Sequence, residues 1–509
     1  MVGFWNLAIA AVFGLLYCVA VIIYRLFLSP LSKFPGPKLA AATLWYEFYY
    51  EVVKEGQFMF KIQELHKQYG PIVRISPFEL HVDDPNGDFY HVVFSGTAVR
   101  DKNPYEIAQF GTNDTGFGTV DHYLHRKRRQ ALNPFFSMAS INRLEPIMRT
   151  MIEKLCTRID EAQKFKTPLN MRLVYLCYAT DFITTYALNN SWNHLDSPDF
   201  SPLWCRTIKE TGAMSKWTKQ FPFLYGFLTS MPDWLVGKLN PGMILVLDMQ
   251  RKIKSMVQDI NDGKVGGEDV SLNGGPRTVF QTLLNSDLPA SEKSVHHLWQ
   301  EGQNVIGAGA DATAYVLSIT TFHLLNNLDK LEKLQAELRS VAAFLPNGQG
   351  WNLTAVRQLP YLTNVVLEGL RLSYGTSSRL TRIAPNENLK FQDWVVPAGT
   401  PISMTAYIMH HNEKIFPHSH SFVPERWSER DGGTPGLERY MVSFSKGSRQ
   451  CIGMNLAKAE ISLTLATLFH RYQDMELFDT NFERDVKLTH DMFLPQPSKE
   501  SRGIRVVFK

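Results

Sequence analysis

The chain has 509 residues, of which 44% are hydrophobic, and this length and composition allow a large buried core. Its net charge of +4 is too small to indicate a partner for nucleic acid, and no basic stripe alternates with aromatic residues. The 5 cysteines are odd in number and irregularly spaced, which argues against a disulfide framework and favours a reducing compartment.

Residues 4–27 form an almost uninterrupted apolar run, long enough to cross a bilayer once as a helix. A cleaved signal peptide is the alternative, but the run lacks a basic leading segment and is too long for the apolar part of such a peptide. Arg25, Lys33 and Lys38 follow the run, so the rest of the chain is expected on the cytosolic side. We therefore predict a retained membrane anchor over residues 1–28.

A proline-rich turn, Phe34-Pro35-Gly36-Pro37, follows the anchor and predicts a hinge over residues 29–40. Residues 66–85 then alternate apolar and polar side chains around turn formers, which predicts a hairpin of short strands. Residues 100–120 are rich in glycine and small polar residues, so we expect a loop that covers a pocket. A basic helix is predicted over residues 121–137, and its charges alone indicate a solvated face.

Two further segments are defined by composition. Residues 204–245 are dense in tryptophan, phenylalanine, methionine and leucine, a composition that is typical of core more often than of a ligand site. Residues 262–276 hold five glycines, two aspartates and one asparagine, which predicts a flexible surface linker.

A long apolar helix is predicted over residues 299–325, interrupted by Gly307 and Gly309 beside Asp311. A charge inside such a helix marks a functional site or a buried partner. Each glycine weakens the helix by roughly 1 kcal/mol relative to alanine, and we expect both to leave room for a ligand against the backbone.

The run FSKGSRQCIG frames Cys451 with small, aromatic and basic residues. A thiolate needs backbone N–H donors and nearby positive charge, and Gly447 and Gly453 would let the backbone approach the sulfur. Phe444 would supply an apolar wall, and the apolar segment that follows predicts a helix whose positive end points at the sulfur. The alternative is an ordinary buried cysteine in a glycine-rich turn.

Three motifs in order resemble those of the cytochrome P-450 family. The cysteine run matches F-x-x-G-x-R-x-C-x-G at every specified position, and a Glu-x-x-Arg pair, Glu368 and Arg371, lies upstream. Between them, FVPERW carries Arg426. The resemblance implies a mainly α-helical fold, with a large helical lobe around a long central helix, a smaller β-rich lobe and an N-terminal transmembrane helix. It implies one haem-thiolate catalytic domain over residues 41–509.

The resemblance also implies that haem b (iron protoporphyrin IX) is bound, with Cys451 as the axial ligand of the iron. Haem propionate contacts are expected from a set of cationic residues: Arg449, His125, Arg129 and Arg379. His125 departs from the tryptophan that the family usually has there, although an imidazole N–H can make the same hydrogen bond. Glu368, Arg371 and Arg426 would form a structural charge network.

The same resemblance places the substrate pocket beneath the loop at residues 100–120 and a roof at residues 204–245 that touches the membrane. The pocket lining that we expect is mostly apolar, which implies a hydrophobic substrate of moderate size. Its members are Phe110, Phe117, Val305, Ala308, Ala312, Ser377, Ser378, Leu380 and Phe493.

One position departs from the family pattern at the catalytic centre. The family usually has a threonine where this chain has Ala312, and that hydroxyl helps to deliver protons, while the preceding acid, Asp311, links the site to solvent. The missing hydroxyl would have to be supplied by Thr313, by an ordered water or by the substrate. Thr313 lies about 100° further around the helix, so we expect water or the substrate to serve.

The resemblance implies a monooxygenase that takes electrons from NADPH through a separate NADPH-cytochrome P-450 reductase, with cytochrome b5 as a second candidate partner. It implies a single-pass protein of the endoplasmic reticulum membrane with a cytosolic catalytic domain. Short phrases such as LSPLSKFPGP and HRKRRQALNPFF resemble fungal members of secondary metabolism, including trichodiene oxygenase-like ones. We therefore expect terpenoid oxidation first, and polyketide or alkaloid tailoring second.

Two other functions remain open. Some family members isomerise, dehydrate or rearrange peroxides without a reductase, and these often lack the threonine that Ala312 replaces. Such enzymes commonly alter the acid as well, and the retention of Asp311 favours the monooxygenase. A non-catalytic haem sensor has no feature in its favour beyond the cysteine.

Overall fold

Helices dominate the structure, a computed structural model that describes residues 2–239, 241–262, 278–345 and 350–509. The predicted linker at 262–276 lies outside the described residues except for its first position. The α-helices are α1 (Val2–Ile23), α2 (Lys38–Ala42), α3 (Trp45–Phe48), α4 (Phe58–Tyr69), α5 (Asp88–Val93), α6 (Pro104–Ile107), α7 (His122–Leu132), α8 (Met138–Arg143), α9 (Glu145–Lys164), α10 (Met171–Leu188), α11 (Pro202–Gln220), α12 (Phe223–Ser230), α13 (Asp233–Leu239), α14 (Pro241–Asn261), α15 (Val279–Leu284), α16 (Val295–Asn326), α17 (Leu328–Ala342), α18 (Leu353–Val356), α19 (Pro360–Ser373), α20 (Ala406–His410) and α21 (Met454–Arg471).

Within the described ranges, the strands are short and form four small sheets. They are β1 (Ile72–Arg74), β2 (Leu80–Val82), β3 (Leu169–Asn170), β4 (Leu380–Ile383), β5 (Leu389–Phe391), β6 (Trp394–Val396), β7 (Pro401–Met404), β8 (Met475–Leu477), β9 (His490–Met492), β10 (Leu494–Gln496) and β11 (Arg505–Phe508). The largest sheet has the order β1-β2-β7-β4, in which only β2 and β7 run parallel. The other sheets are β3-β11-β8, β5-β6 and β9-β10.

The secondary structure that we predicted for the N-terminal third of the chain is confirmed in part. The predicted hairpin is present, since β1 pairs with β2 antiparallel and Ile72 lies opposite Val82. The basic helix is α7, capped by the side chain of Asp121, which accepts from the N–H of Leu124 at 2.7 Å. The segment predicted as a loop at residues 100–120 contains the short helix α6, because a proline at its first turn and the cap of Asn103 favour helix there.

The central helix α16 is 32 residues long and packs against α10, α14 and α19. A side-chain carbon at Gly309 would lie 2.6 Å from Cγ1 of Ile183 in α10, so this glycine allows the two helices to approach closely. A carbon at Gly307 would meet no described protein atom within 4 Å. The prediction that both glycines leave room for a ligand is therefore wrong for Gly309, which serves helix packing.

Two exposed apolar regions lie outside the core. The span Phe4–Leu28 has a mean hydropathy of 2.6 and none of it is buried, so it is a candidate membrane-spanning helix. α16 passes the same test of length and composition but is 72% buried, as a core helix is. Phe223, Phe227 and Trp234 in α12 and α13 are 70%, 58% and 66% exposed, so the expectation of core at these positions is wrong.

Replacement of the two glycines of α16 by alanine separates their roles. We expect Gly309→Ala to lower the free energy of unfolding by about 1–3 kcal/mol, because the added methyl overlaps Ile183. Gly307→Ala is the matched control, and helix propensity alone should make it neutral or stabilising by up to about 1 kcal/mol. Chemical denaturation of the detergent-solubilised protein measures both, and equal effects at the two positions would contradict the packing role of Gly309.

Candidate active site

The loop that presents Cys451 is closed by its own backbone. The N–H of Cys451 donates to the carbonyl of Phe444 at 2.9 Å. Gly447 has φ of +76°, and a side-chain carbon there would lie 2.1 Å from the carbonyl oxygen of Phe94. Gly447 is therefore required for the loop to pack against the end of α5, and not for approach to the sulfur as we predicted.

Cys451 exposes more than a third of its surface, yet burial by the surrounding protein raises the pKa of its thiol above the usual value. This combination indicates a residue that is accessible from inside the protein and not from its outer surface. The backbone N–H of Gly453, just before α21, and the charge of Arg129 act in the opposite direction and favour the thiolate. Gly307 and Ala308 are likewise exposed in the middle of α16, most of which is buried. We infer that the cysteine loop and α16 border one interior space.

Four buried basic side chains form what we call the cation cluster: Lys102, His125, Arg382 and Arg449. Burial and the neighbouring Arg382 lower the pKa of Arg449 to about 9, and burial with Arg449 lowers that of His125 to about 2. Burial, Arg382 and Arg449 hold the pKa of Lys102 well below its usual value. Nδ1 of His125 has no hydrogen-bond partner among the described residues. The cation cluster therefore suits an anionic ligand.

Arg379 does not belong to the cation cluster. Its guanidinium pairs with Glu47 at 2.7 Å, with Glu51 at 3.1 Å and with Glu79 at 2.8 Å. These carboxylates take four of its five N–H donors and balance its charge, so the expected propionate contact moves to Arg382. The two arginines are an odd number of residues apart at the start of β4, and an extended chain points such residues to opposite sides.

Ser377 and Ser378 are also committed elsewhere. Their hydroxyls donate to Oδ1 of Asp491 at 2.8 and 2.7 Å, so the prediction that they contact substrate does not fit these bonds. Lys216 of α11 donates to the Ser378 hydroxyl at 3.1 Å. These groups adjoin a set of charged side chains that we call the buried ion cluster: Glu47, Glu51, Glu79, Lys216, Lys219, Arg379 and Asp491.

The predicted aromatic lining does come together. The ring of Phe110 lies 5.4 Å from that of Phe117 and 4.8 Å from that of Phe493, with edge-to-face geometry. Phe117 is 41% exposed, while Leu380 is half-buried and Val305 is buried. The three rings form an apolar wall on the loop at residues 100–120 and the β9–β10 hairpin.

Asp311 is buried and ion-paired with Arg172 of α10. Arg172 also donates to the backbone carbonyl of Asp311 at 2.9 Å, and its own side chain is 20% exposed. The pair therefore connects the buried acid with the protein surface. Ala312 is half-buried and Thr313 is buried beside it.

Polar residues of α16 hold the loop over the pocket. Glu301 accepts from the backbone N–H of Gly116, and burial raises the pKa of its carboxyl to about 7. One turn further, Nδ2 of Asn304 donates to Oγ1 of Thr115 at 2.7 Å, and its Oδ1 accepts from Thr112 at 3.1 Å. Sequence reasoning missed these contacts, although polar residues in an apolar helix signalled them.

Glu368 is fully buried at the centre of the charge network. Nη2 of Arg371 donates to it at 2.8 Å, Nε of Arg426 at 3.1 Å and the Trp427 indole at 2.9 Å. Burial alone would raise the pKa of this carboxyl, but Arg371 and Arg426 hold it below the usual value. Arg371 also donates to the carbonyl of His410, so the network ties α19 to the end of α20.

A family model, Cytochrome P450, matches residues 35–499, which include the cysteine loop, the charge network and α16. The chain belongs to the cytochrome P450 family. The mainly helical fold with small sheets is the P450 fold that the resemblance predicted.

Relatives of this P450 are fungal. It is 58% identical over 502 residues to cytochrome P450 monooxygenase MO6277 of Ascocoryne sarcoides, with 97% of each chain covered. It is 40% identical to cytochrome P450 monooxygenase tpcC of Cochliobolus heterostrophus, covering 98% of this chain and 96% of the relative. It is 41% identical to tryptophan 6-hydroxylase fscE of Fusarium equiseti, covering 96% and 94%. The P450 is therefore an oxidoreductase of the monooxygenase type, related to enzymes of secondary metabolism.

Membership of the P450 family implies haem, and the residues present fit that group. A sulfur that opens onto an interior space suits an axial ligand. The cation cluster, with its unpartnered His125 nitrogen, suits two propionates. Arg129 donates to the carbonyl of Gln450 at 2.5 Å, which places it beside the cysteine loop.

Arginine replacements test the corrected propionate contact. We expect Arg382→Met to raise the rate of haem loss about tenfold or more, because a charge-assisted hydrogen bond contributes about 1.5–3 kcal/mol. Arg379→Met is the matched control. It should lower the free energy of unfolding by about 3–5 kcal/mol, because it leaves carboxylates unpaired. It should leave the rate of haem loss from the folded protein equal to that of the parent enzyme. Haem transfer to apomyoglobin gives both rates, and faster loss in Arg379→Met alone would restore the original assignment.

Proposed function

We propose that this P450 hydroxylates, or oxidises in several steps, a hydrophobic secondary-metabolite scaffold, with terpenoids favoured and polyketides or alkaloids next. The observation that carries the proposal is the exposure of Cys451, Gly307 and Ala308, from which we infer one interior space that they share. The apolar wall of Phe110, Phe117 and Phe493 supports a hydrophobic substrate. A relative named as a tryptophan 6-hydroxylase supports an indole-containing alternative.

Haem b held by Cys451 would supply the power to oxidise unactivated C–H bonds with O2. The protein's own part is to keep the sulfur ionised, which the Gly453 N–H and the Arg129 charge favour. The cation cluster would fix the two propionates, and the buried Glu368 network would hold the backbone behind the loop. The aromatic wall would exclude water and orient the substrate.

Electrons would come from NADPH through the membrane-bound reductase, with cytochrome b5 as a second candidate donor. The apolar span Phe4–Leu28 supports a single-pass anchor in the endoplasmic reticulum membrane, with the catalytic domain in the cytosol. The exposed aromatic residues of α12 and α13 support contact of the pocket roof with lipid.

Proton delivery would run from water at the surface through the Asp311 carboxyl, and Arg172, whose guanidinium stays protonated, would hold that carboxyl in place. Because Ala312 has no hydroxyl, a water or a hydroxyl of the substrate would complete the path near the reacting atoms. This substitution also favours a second candidate function, a reductase-independent isomerase, dehydratase or peroxide-rearranging enzyme. We rank that candidate lower because enzymes of this kind commonly alter the acid as well, and this chain retains Asp311.

Inactivation of the chain in its native host identifies the reaction class. Cys451→Ala should cause a hydrophobic precursor to accumulate that is lighter than the missing product by one or more oxygen atoms, because oxygen insertion needs the thiolate. Mass spectrometry of extracted metabolites measures this difference. Product formation by the purified enzyme should require NADPH and reductase. A precursor of equal mass, or turnover without NADPH, would instead support the second candidate function.

Restoration of the hydroxyl tests the proton path. If the proper substrate or a water already supplies the hydroxyl, Ala312→Thr should change the product yield with that substrate by no more than about twofold relative to the parent enzyme. With poorly fitting substrates, the same variant should reduce the hydrogen peroxide released per NADPH consumed. Thr313→Val is the control and should change neither quantity. Identical coupling of Ala312→Thr and the parent enzyme for all substrates would contradict a role of this position in proton delivery.

A further inference from the structure

We propose that the substrate carries a hydrogen-bonding group that docks on the side-chain amide of Asn304, so that it reaches this enzyme already bearing oxygen or nitrogen. The inference rests on the proposed monooxygenase function and specifies its substrate. It assigns a polar contact to a pocket whose predicted lining was almost wholly apolar.

Asn304 lies on the face of α16 that borders the interior space. Asn304, Ala308 and Ala312 are spaced by four residues, so their side chains follow one another along the same face of the helix. Ala308, one turn from Asn304, is exposed within the buried helix, and Ala312 is half-buried. Asn304 is half-buried as well. Its amide therefore stands at the end of the stripe that faces the space where the substrate would bind.

The orientation of this amide is fixed by two buried threonines. Thr115, 0% exposed, donates its hydroxyl hydrogen to the carbonyl of Thr112 at 2.9 Å, so towards Asn304 it can only accept. Nδ2 of Asn304 supplies that donor at 2.7 Å, and its Oδ1 accepts from the Thr112 hydroxyl at 3.1 Å. The side chain is thus held in one rotamer and one flip state before any ligand arrives.

Half of the hydrogen-bonding capacity of Asn304 remains. A carboxamide has two N–H donors and two acceptor lone pairs, and the threonines use one of each. The remaining N–H and lone pair have no partner among the described residues, and the residue as a whole is half-buried. A neutral hydroxyl, carbonyl or amide could use either or both of them, whereas a hydrocarbon would leave both unpaired in a dry pocket.

The helix sets the distance between this group and the oxidised carbon. Four residues of α-helix rise about 6 Å, so Asn304 lies about 6 Å from Ala308 and about 12 Å from Ala312 along the axis. Oxidation is expected near Ala308 and Ala312, where the space adjoins the cysteine side. The polar group of the substrate should therefore lie about 6–12 Å from the oxidised carbon, with the apolar body against Phe110, Phe117 and Phe493.

The position in a reaction sequence follows from this chemistry. A cyclic hydrocarbon scaffold has no group for Asn304, so another oxygenation must act on such a scaffold first. A scaffold built from an amino acid or a carbonyl-bearing chain already has such a group. In both cases this P450 performs a tailoring step and does not carry out the first functionalisation of a hydrocarbon.

Azole ligands test the contact without knowledge of the substrate. 4-Phenylimidazole binds haem through nitrogen and extends its ring into the pocket, and 4-(4-hydroxyphenyl)imidazole adds one hydroxyl. A longer biphenyl pair carries the hydroxyl further, so that the two pairs sample the expected range. Titration of the full-length holoenzyme, followed by the shift of its Soret band, gives each Kd. We expect the hydroxylated member of at least one pair to bind about two- to tenfold tighter than its parent.

Variants assign that preference to one amide. Asn304→Leu should abolish it, and Asn304→Asp, which keeps an acceptor, should retain part of it. Gln303→Leu is the matched control, because Gln303 bonds to Gln250 of α14 at 2.9 Å and lies off the stripe. It should keep the full preference. A preference that survives Asn304→Leu would overturn the proposal.

The outcomes separate this proposal from the function on which it rests. The absence of any Soret shift in the parent enzyme would count against the haem-thiolate pocket itself. Normal shifts with no hydroxyl preference in either pair would overturn the role of Asn304 alone, even if its variants fail to fold. Accumulation of a pure hydrocarbon in the Cys451→Ala strain would likewise leave the monooxygenase intact and overturn the proposal.

Discussion

The bond between the Cys451 N–H and the Phe444 carbonyl, 2.9 Å long, is the constraint on which the site depends. It folds the loop so that the sulfur opens inward and α21 begins immediately afterwards. The loop can close this way only because Gly447 adopts positive φ against Phe94. Behind it, the Glu368 network satisfies a buried carboxylate with three side-chain donors. These local and long-range bonds together keep one thiol surface free in a close-packed interior.

Two of the buried charge clusters in the described part of the chain differ in the balance between positive and negative charge. The buried ion cluster pairs three cations with four carboxylates at short distances, so its charges largely satisfy one another. The cation cluster of Lys102, His125, Arg382 and Arg449 has the carboxylate of Glu106 beside Lys102 and Arg382, so its positive charges stay in excess, and burial and their mutual repulsion lower the pKa values of Lys102, His125 and Arg449. An unbalanced buried charge is costly unless a ligand neutralises it. This difference distinguishes a structural group of charges from a binding site.

Short motifs predicted the parts of the site that depend on neighbours in sequence. The cysteine run, the start of α21 and the Glu368–Arg371 spacing follow from local backbone geometry. Partners that come from distant segments were not predictable. Arg379 and Arg382 look alike in sequence, and only the approach of Glu47, Glu51 and Glu79 separates them. Gly309 likewise has its role decided by Ile183 of another helix, which no pattern within α16 contains.

The buried ion cluster links the segment after the candidate membrane span to α11. Arg25, at the end of that span, donates to the carbonyl of Ala42 in α2 at 2.8 Å, just before α3. Glu47 of α3 in turn pairs with Lys219 of α11 at 2.6 Å. With the proposed anchor in a bilayer, a change in its tilt, imposed by a thicker or thinner membrane, would be transmitted to α11 through these bonded groups. Lipid composition would then affect the shape of the proposed pocket as well as the location of the enzyme.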